Sequence, residues 1–424
     1  MDAELMMGFD SRAVHAGRTD LSGLGVHVPP IDLSSTYPLP DIEAGGDSYE
    51  NMANGHPLQE GHSAVYQRLW NPTVARFEEA VAALEGAQAA VAFASGMAAL
   101  SATLLSAVAA GKPHVVAVRP LYGGSDHILA TGLLGTRVTY TTADGVASAI
   151  EADTGLVIAE TPANPTLDLI DLRALVAQAG DVPVVVDNTF ATPVLQRPIE
   201  LGVSIVLHSV TKFMAGHGDV LGGVVATSED LAVRIRPIRA ITGGNMHPLS
   251  AYLAHRGLQT LPVRVRAQQD SAQVIATWLA QHTDVERVYY PGVEGGDPLG
   301  LVGTQMQGPG AVLAIDLGSY ERASQVATSV RLFTHAVSLG GVDSLIQHPA
   351  ALTHRPVSAE AKPGQGVLRL SIGLEGAADL IADLEQALGS DHVGKQVPAA
   401  GKQDAAAGRQ DAESADLPAH AVSV

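Results

Sequence analysis

Residues 204–223 read SIVLHSVTKFMAGHGDVLGG and set a lysine, Lys212, just beyond an apolar run. The run Ser204–Leu207 lacks the apolar–polar alternation of a strand with one wet face, so it reads as a strand buried on both faces. Working outward, Ala89–Phe93, His114–Val118, Arg137–Thr141, Leu156–Glu160 and Val184–Asp187 have the same character, with helical stretches between them. One such helix opens at Pro72 and Thr73, carries Phe77, Val81 and Leu84 inward, and ends at Gly86. Strand–helix alternation predicts a mainly parallel, doubly wound α/β sheet. Ligands of such sheets bind beyond the carboxyl ends of the strands, which is where Lys212 falls.

Farther out, a long helical segment after Pro248 carries Leu253, Leu258, Leu261, Val265 and Val274. Strands near Val285–Tyr290, Ala311–Leu317 and Val367–Ile372 then predict a smaller C-terminal α/β domain. The expected organisation is an extended arm over 1–65, a large domain over 66–250, a small domain over 251–390 and a disordered tail over 391–424. A chain of 424 residues exceeds what one core usually absorbs.

The uncharged stretch Ala89–Ala110 is as long as a membrane span. It is mostly Ala and Ser and is broken by Gly96, so strand, turn and helix is the preferred reading. A formal charge of -19 opposes nucleic-acid and membrane partners. With no cysteine, disulfides and thiolate chemistry are excluded, and a cytoplasmic setting suits the composition. The 16 histidines are scattered, without a HExxH pair, so no metal site is expected. Gly216-His217-Gly218 to Gly222 imitates a dinucleotide fingerprint, but its last glycine falls one position late.

Only five lysines occur, and Lys212 alone follows a buried strand. An amine there can attack a carbonyl cofactor. Ser209 and Thr211 offer hydroxyls to a phosphate, and Ser95-Gly96-Met97 opens a helix whose N-terminal N–H groups favour an anion. Asp187 ends a strand, where a carboxylate is costly unless paired, and a protonated pyridine nitrogen would pair it. Taken singly, each has an ordinary reading: a surface lysine, a Ser-Gly turn, a helix-capping aspartate.

Longer motifs go further. Tyr66-x-Arg68-x-x-Asn71-Pro72-Thr73, Ser95-Gly96-Met97, Leu121-Tyr122-Gly123-Gly124, Glu160-Thr161-Pro162-Ala163-Asn164-Pro165, Asp187-Asn188-Thr189-Phe190, Ser209-Val210-Thr211-Lys212, Ser338-Leu339-Gly340-Gly341 and Arg369-Leu370-Ser371 stand in this order. Over nearly all of residues 11–390 the chain resembles the transsulfuration enzymes of cysteine and methionine metabolism. That pyridoxal 5'-phosphate-dependent family includes cystathionine γ-synthases and γ-lyases, methionine γ-lyases and O-acylhomoserine sulfhydrylases.

The resemblance implies the fold-type-I, aspartate-aminotransferase-like architecture, with a mainly parallel seven-stranded sheet. It implies that Lys212 holds the cofactor and then moves protons. Asp187 would hold the pyridine nitrogen, and Tyr122 would stack on the ring as an acid or base. Gly96, Met97, Ser209 and Thr211 would hold the phosphate, while Tyr66 and Arg68 would reach the phosphate of a neighbouring subunit. Asn164 would contact cofactor or substrate, and Arg369, with Ser338 nearby, would grip the substrate carboxylate. A homotetramer built as a dimer of dimers follows from the same likeness.

Members that handle cystathionine usually carry an acid before the motif tyrosine, an arginine after the Tyr-Gly-Gly turn and a glutamate before the motif serine. Val65, His127 and Val337 stand there instead. An uncharged pocket for a small or apolar γ-substituent is therefore expected, and with it γ-elimination from methionine or a related amino acid, giving a 2-oxo acid or unsaturated product and ammonia. Cystathionine γ-lyase, γ-replacement and, from another class, an inactive scaffold are the alternatives. Gly124 and Arg239-Ala240 depart from the methionine-lyase pattern, which has cysteine and Lys-Asp there.

Overall fold

The computed structural model describes residues 7–355 and 362–389. Its larger sheet holds β1 (Ala89–Phe93), β2 (His114–Val118), β3 (Arg137–Thr141), β4 (Thr154–Glu160), β5 (Val184–Asp187), β6 (Ile205–Ser209) and β7 (Gly223–Thr227). The order is β1-β7-β6-β5-β4-β2-β3. Only β7 is reversed: it pairs antiparallel with both β1 and β6, while β6, β5, β4, β2 and β3 pair in parallel.

Alternation sends the side chains of one strand into two cores. In β4, Leu156 and Ile158 enter one core and Val157 and Ala159 the other. A sheet covered on both faces follows, which is why its inner strands read as apolar runs; the edge strand β3, expected to be buried like the others, instead has Arg137 exposed and its other four residues half-buried. The helix Pro72–Glu85 has the expected punctuation. Asn71 accepts from the N–H groups of Thr73 and Val74, Pro72 needs no partner for a missing donor, and Gly86 ends the helix at φ 73°.

The smaller sheet holds β8 (Arg287–Tyr289), β9 (Val312–Asp316), β10 (Thr334–His335), β11 (Leu345–Gln347) and β12 (Val367–Ser371), in the order β10-β11-β12-β9-β8. Leu368 and Leu370 of β12 pack into a core shared with helices Leu261–Leu279, Tyr320–Ser329 and Ala377–Leu388. Arg369 must then point to the opposite face, and the registers Arg369↔Ala314 and Gln347↔Arg369 fix its place in mid-strand.

Four further features differ from the sequence reading. The first 65 residues are not extended throughout, because helices form at Phe9–His15 and Ile42–Ala53. The second is capped by Asp41, which accepts from the Ala44 N–H, and it buries Ser48 and Met52. β7 was hidden because its five residues begin at the second glycine of the pair Gly222-Gly223. Glycine is required there: an added Cβ at Gly223 would lie 2.2 Å from the Ser95 carbonyl oxygen. β10 and β11 were missed as too short to show a period. The segment after Pro248 is two helices, Pro248–Leu258 and Leu261–Leu279, since Pro262 can open a helix but not continue one.

Ala89–Ala110 folds as strand, turn and helix, and among the described residues no helix is long and apolar enough to cross a membrane. The stretch 391–424, read as a tail, lies outside the described residues.

Candidate active site

The carboxyl ends of β1, β2, β4, β5 and β6 open onto a cavity of about 410 Å³, lined by residues from both sheets. Lys212 sits in the turn after β6, where its N–H donates to the Ser209 carbonyl at 3.1 Å and its own carbonyl accepts from Gly216 at 2.8 Å. Burial, reinforced by the Arg369 charge and opposed by Asp187, pulls the Lys212 amine down to about 8. Near neutrality a usable fraction is therefore the unprotonated nucleophile. Its Nζ donates to Ser338 Oγ at 2.7 Å.

Ser338 has φ 95°, a left-handed conformation costing a side-chain-bearing residue about 1–3 kcal/mol. Two bonds hold it there: the Lys212 amine on its hydroxyl, and Arg369 Nη2 on its carbonyl at 2.7 Å. Arg369 is buried, and burial lowers its guanidinium to about 10. It donates to Asn164 Oδ1 at 3.0 Å and to Gln347 Oε1 at 2.5 Å, while its Nε has no protein partner. A buried guanidinium held by neutral acceptors, with a donor to spare, suits an incoming carboxylate.

Asp187 ends β5. Its Oδ1 accepts from the Thr189 N–H at 3.0 Å and the Thr189 hydroxyl at 2.5 Å. Burial raises its carboxyl above the usual range, and the Thr189 bonds and Lys212 only partly offset that. Ser95 caps the helix Gly96–Ala109 by accepting from the Ala98 N–H at 3.1 Å. A Cβ at Gly96 would stand 3.2 Å from Ser209 Cβ, tighter than ordinary contact, so a bare position 96 leaves more room in the cradle between them. Thr211 Oγ1 donates to the Gly222 carbonyl and accepts from its N–H, tying the lysine turn to the start of β7. Tyr122 follows β2 with its ring half-exposed, and a Cβ at Gly124 would lie 2.7 Å from that ring's Cε1.

These residues fit the cofactor that the resemblance implies. The fit rests on a lowered lysine amine, a carboxyl that gains from a cationic partner, a helix N-terminus with a bare cradle, and an aromatic face.

The cavity brings together Lys212, Asp187, Tyr122, Gly96, Met97, Ser209, Thr211, Asn164, Arg369, Ser338 and Val337. It does not include Val65, Tyr66, Arg68 or His127. Arg68 lies over the Tyr66 ring at 5.6 Å and donates to the Ala240 carbonyl, Tyr66 is 43% exposed, and His127 is exposed. Sequence reasoning assigned no role to Gln347, Glu160 or Thr189. Glu160 carried the signal used for Asp187, a carboxylate at the end of a buried strand. Gln347 carried none, since its role depends on β11 lying beside β12.

Away from the cavity, His114, Glu151 and Asp153 bring three ligand-type groups together. Arg137 bridges both carboxylates, at 2.8 and 2.9 Å, and the His114 nitrogens face Thr154 and Thr139, so the protein itself satisfies the cluster.

Comparison with known proteins places these features in context. The family model described as Cys/Met metabolism PLP-dependent enzyme matches residues 10–389. An L-methionine gamma-lyase of Brevibacterium sandarakinum is 61% identical over 376 residues, covering 88% of this chain and 96% of that protein. One from Streptomyces avermitilis is 54% identical, covering 91% and 90%. Among solved structures, metB from Corynebacterium glutamicum superposes with a TM-score of 0.83 at 35% identity, covering 92% of this chain and 99% of that one. An apo methionine gamma lyase from Micromonospora echinospora gives 0.79 at 38%, covering 91% and 100%.

Proposed function

The chain belongs to the Cys/Met metabolism family of pyridoxal-phosphate-dependent enzymes, and from that premise we propose that it is a carbon–sulfur γ-lyase acting on L-methionine or a related γ-substituted L-amino acid. The observation that carries the reading is the pairing of Lys212, Asp187 and Arg369 in one cavity whose outer wall includes the uncharged Val337 and Leu221. Methionine and water would yield 2-oxobutyrate, ammonia and methanethiol.

Pyridoxal phosphate, when bound, supplies a carbonyl for the amine and an electron-withdrawing ring. Lys212 Nζ would hold it. Asp187 would face the ring nitrogen, Tyr122 the ring, and Gly96, Met97, Ser209 and Thr211 the phosphate. Arg369 and Asn164 orient the substrate carboxylate, and Gln347 anchors the guanidinium by accepting its 2.5 Å bond. That leaves the substrate Cα–H within reach of Lys212 Nζ, which accepts the proton and returns it. Ser338 Oγ steadies the amine meanwhile.

We place Tyr66 and Arg68 in the site of a neighbouring subunit, which accounts for an arginine and a tyrosine stacked and half-exposed away from their own cavity. The assembly would be a dimer of dimers in the cytoplasm, where a chain without cysteine is at home.

The test is product analysis with wild-type protein and added pyridoxal phosphate. Release of 2-oxobutyrate and methanethiol from methionine, with no added thiol, is the expected result. Turnover that strictly requires a thiol acceptor would instead assign γ-replacement.

A further inference from the structure

We infer that Glu160 is a positioning residue that locks the Tyr122 turn to the Asn164–Arg369 clamp, an inference that rests on the reading of this site given above. Glu160 is the last residue of β4 and lies in register with Asp187 at the end of β5. Both are carboxylates, and the side chain of Glu160 is almost wholly buried. Packing alone would favour a neutral residue there, since two adjacent buried carboxylates raise each other's cost.

The hydrogen bonds explain what the second carboxylate does. One oxygen, Oε2, accepts from the Tyr122 N–H at 2.6 Å. The other, Oε1, accepts from the Asn164 N–H at 2.9 Å. Those two N–H groups belong to different segments, one following β2 and one following β4. The first carries the phenol that faces the cofactor position. The second carries the amide oxygen that accepts from Arg369 Nη1 at 3.0 Å. A single rigid plane thus sets the spacing between the ring-facing and carboxylate-gripping parts of the site. Burial, and then the Asp187 charge, raise the Glu160 carboxyl well above its ordinary range, while the Tyr122 and Asn164 N–H bonds and the Arg369 charge oppose that rise; in its charged form Glu160 in turn counters Arg369, to which no carboxylate is hydrogen-bonded among the described residues.

A carboxylate suits this post because both its oxygens accept and neither donates. Glutamine has the same shape but one accepting and one donating end. Whichever way it turns, Glu160→Gln sets an NH2 group against a backbone N–H and frees one of the two segments.

The experiment uses the full chain with added pyridoxal phosphate, in two double-mutant cycles: Glu160→Gln with Tyr122→Phe, read in kcat, and Glu160→Gln with Asn164→Ser, read in KM. Both cycles are also read in the dissociation constant and visible band of the cofactor, so they report even if methionine is not the substrate. Wild-type silence toward methionine overturns the functional reading and leaves the cofactor cycles to decide this one. Glu160→Gln should fold, as judged by circular dichroism of the apoprotein, and lose about tenfold or more in kcat/KM. It should be non-additive with at least one partner, because releasing a segment costs little once the side chain that the segment positions has been removed. Glu160→Asp keeps both acceptors on a shorter stem and takes the same cycles if the glutamine variant fails to fold. Additivity with both partners, or a variant within twofold of wild type in every reading, overturns the inference.

Discussion

The two sheets serve the cavity in different ways. The seven-stranded sheet contributes from strand ends: Lys212 follows β6, Asp187 closes β5, Glu160 closes β4, and the Ser95–Gly96 turn follows β1. The five-stranded sheet contributes from mid-strand, through Arg369 on β12 with Gln347 of β11 beside it. Strand ends are free to carry strained turns and bare glycines, which a covalent cofactor and its phosphate require. A mid-strand guanidinium has no such freedom, and its direction is fixed by the alternation that buries Leu368 and Leu370. The difference suggests a division of labour, with chemistry on the adjustable side and orientation of the substrate carboxylate on the rigid side.

Replacing Lys212 breaks the adjustable side most completely. Lys212→Ala should lower turnover by about 10³-fold or more and abolish the visible band of lysine-held cofactor, with the fold intact by circular dichroism. Next in size is the rigid side. Arg369→Ala strips a buried site of its charge partner for the substrate, a loss of about 2–5 kcal/mol in kcat/KM. It should appear in KM more than in cofactor affinity, measured by kinetics and by cofactor titration. Equal losses in both would erase the proposed division. Asp187→Asn should instead weaken the cofactor, by roughly ten- to a hundredfold in dissociation constant, with less change in KM for substrate once the site is saturated.

A smaller effect concerns pH. The amine of Lys212 falls to about 8 in the folded chain, below its ordinary value of about 10.4. Between those values the unfolded chain binds more protons, so folding stability rises with pH across that window. Wild-type apoprotein should therefore gain up to about 3 kcal/mol relative to Lys212→Met between roughly pH 8 and pH 10.5, measured by denaturant unfolding. A flat difference would mean that the amine is not depressed.

Legibility in the sequence follows the same divide. β1, β2 and the Lys212 turn could be read directly, because a strand buried on two faces is an unbroken apolar run and its carboxyl end is a known place for ligands. Asp187 and the Ser95–Gly96 turn followed from position in the same way. The substrate side could not be read so. Arg369 in VLRLS looks like any strand residue, and only the family likeness singled it out. Gln347 and the left-handed Ser338 depend on pairings across the smaller sheet, between segments far apart in sequence. Glu160 was legible in principle, since it shares the strand-end logic of Asp187, yet its two bonds are to backbone N–H groups that no residue type announces.

The central claim, γ-elimination in a site with an uncharged outer wall, is tested most directly by measuring 2-oxobutyrate release from L-methionine and L-cystathionine side by side. The protein should be saturated with pyridoxal phosphate. The account predicts that methionine is turned over with the higher kcat/KM, because Val337 and Leu221 offer no charge to the distal amino and carboxylate groups of cystathionine. A preference for cystathionine would contradict it.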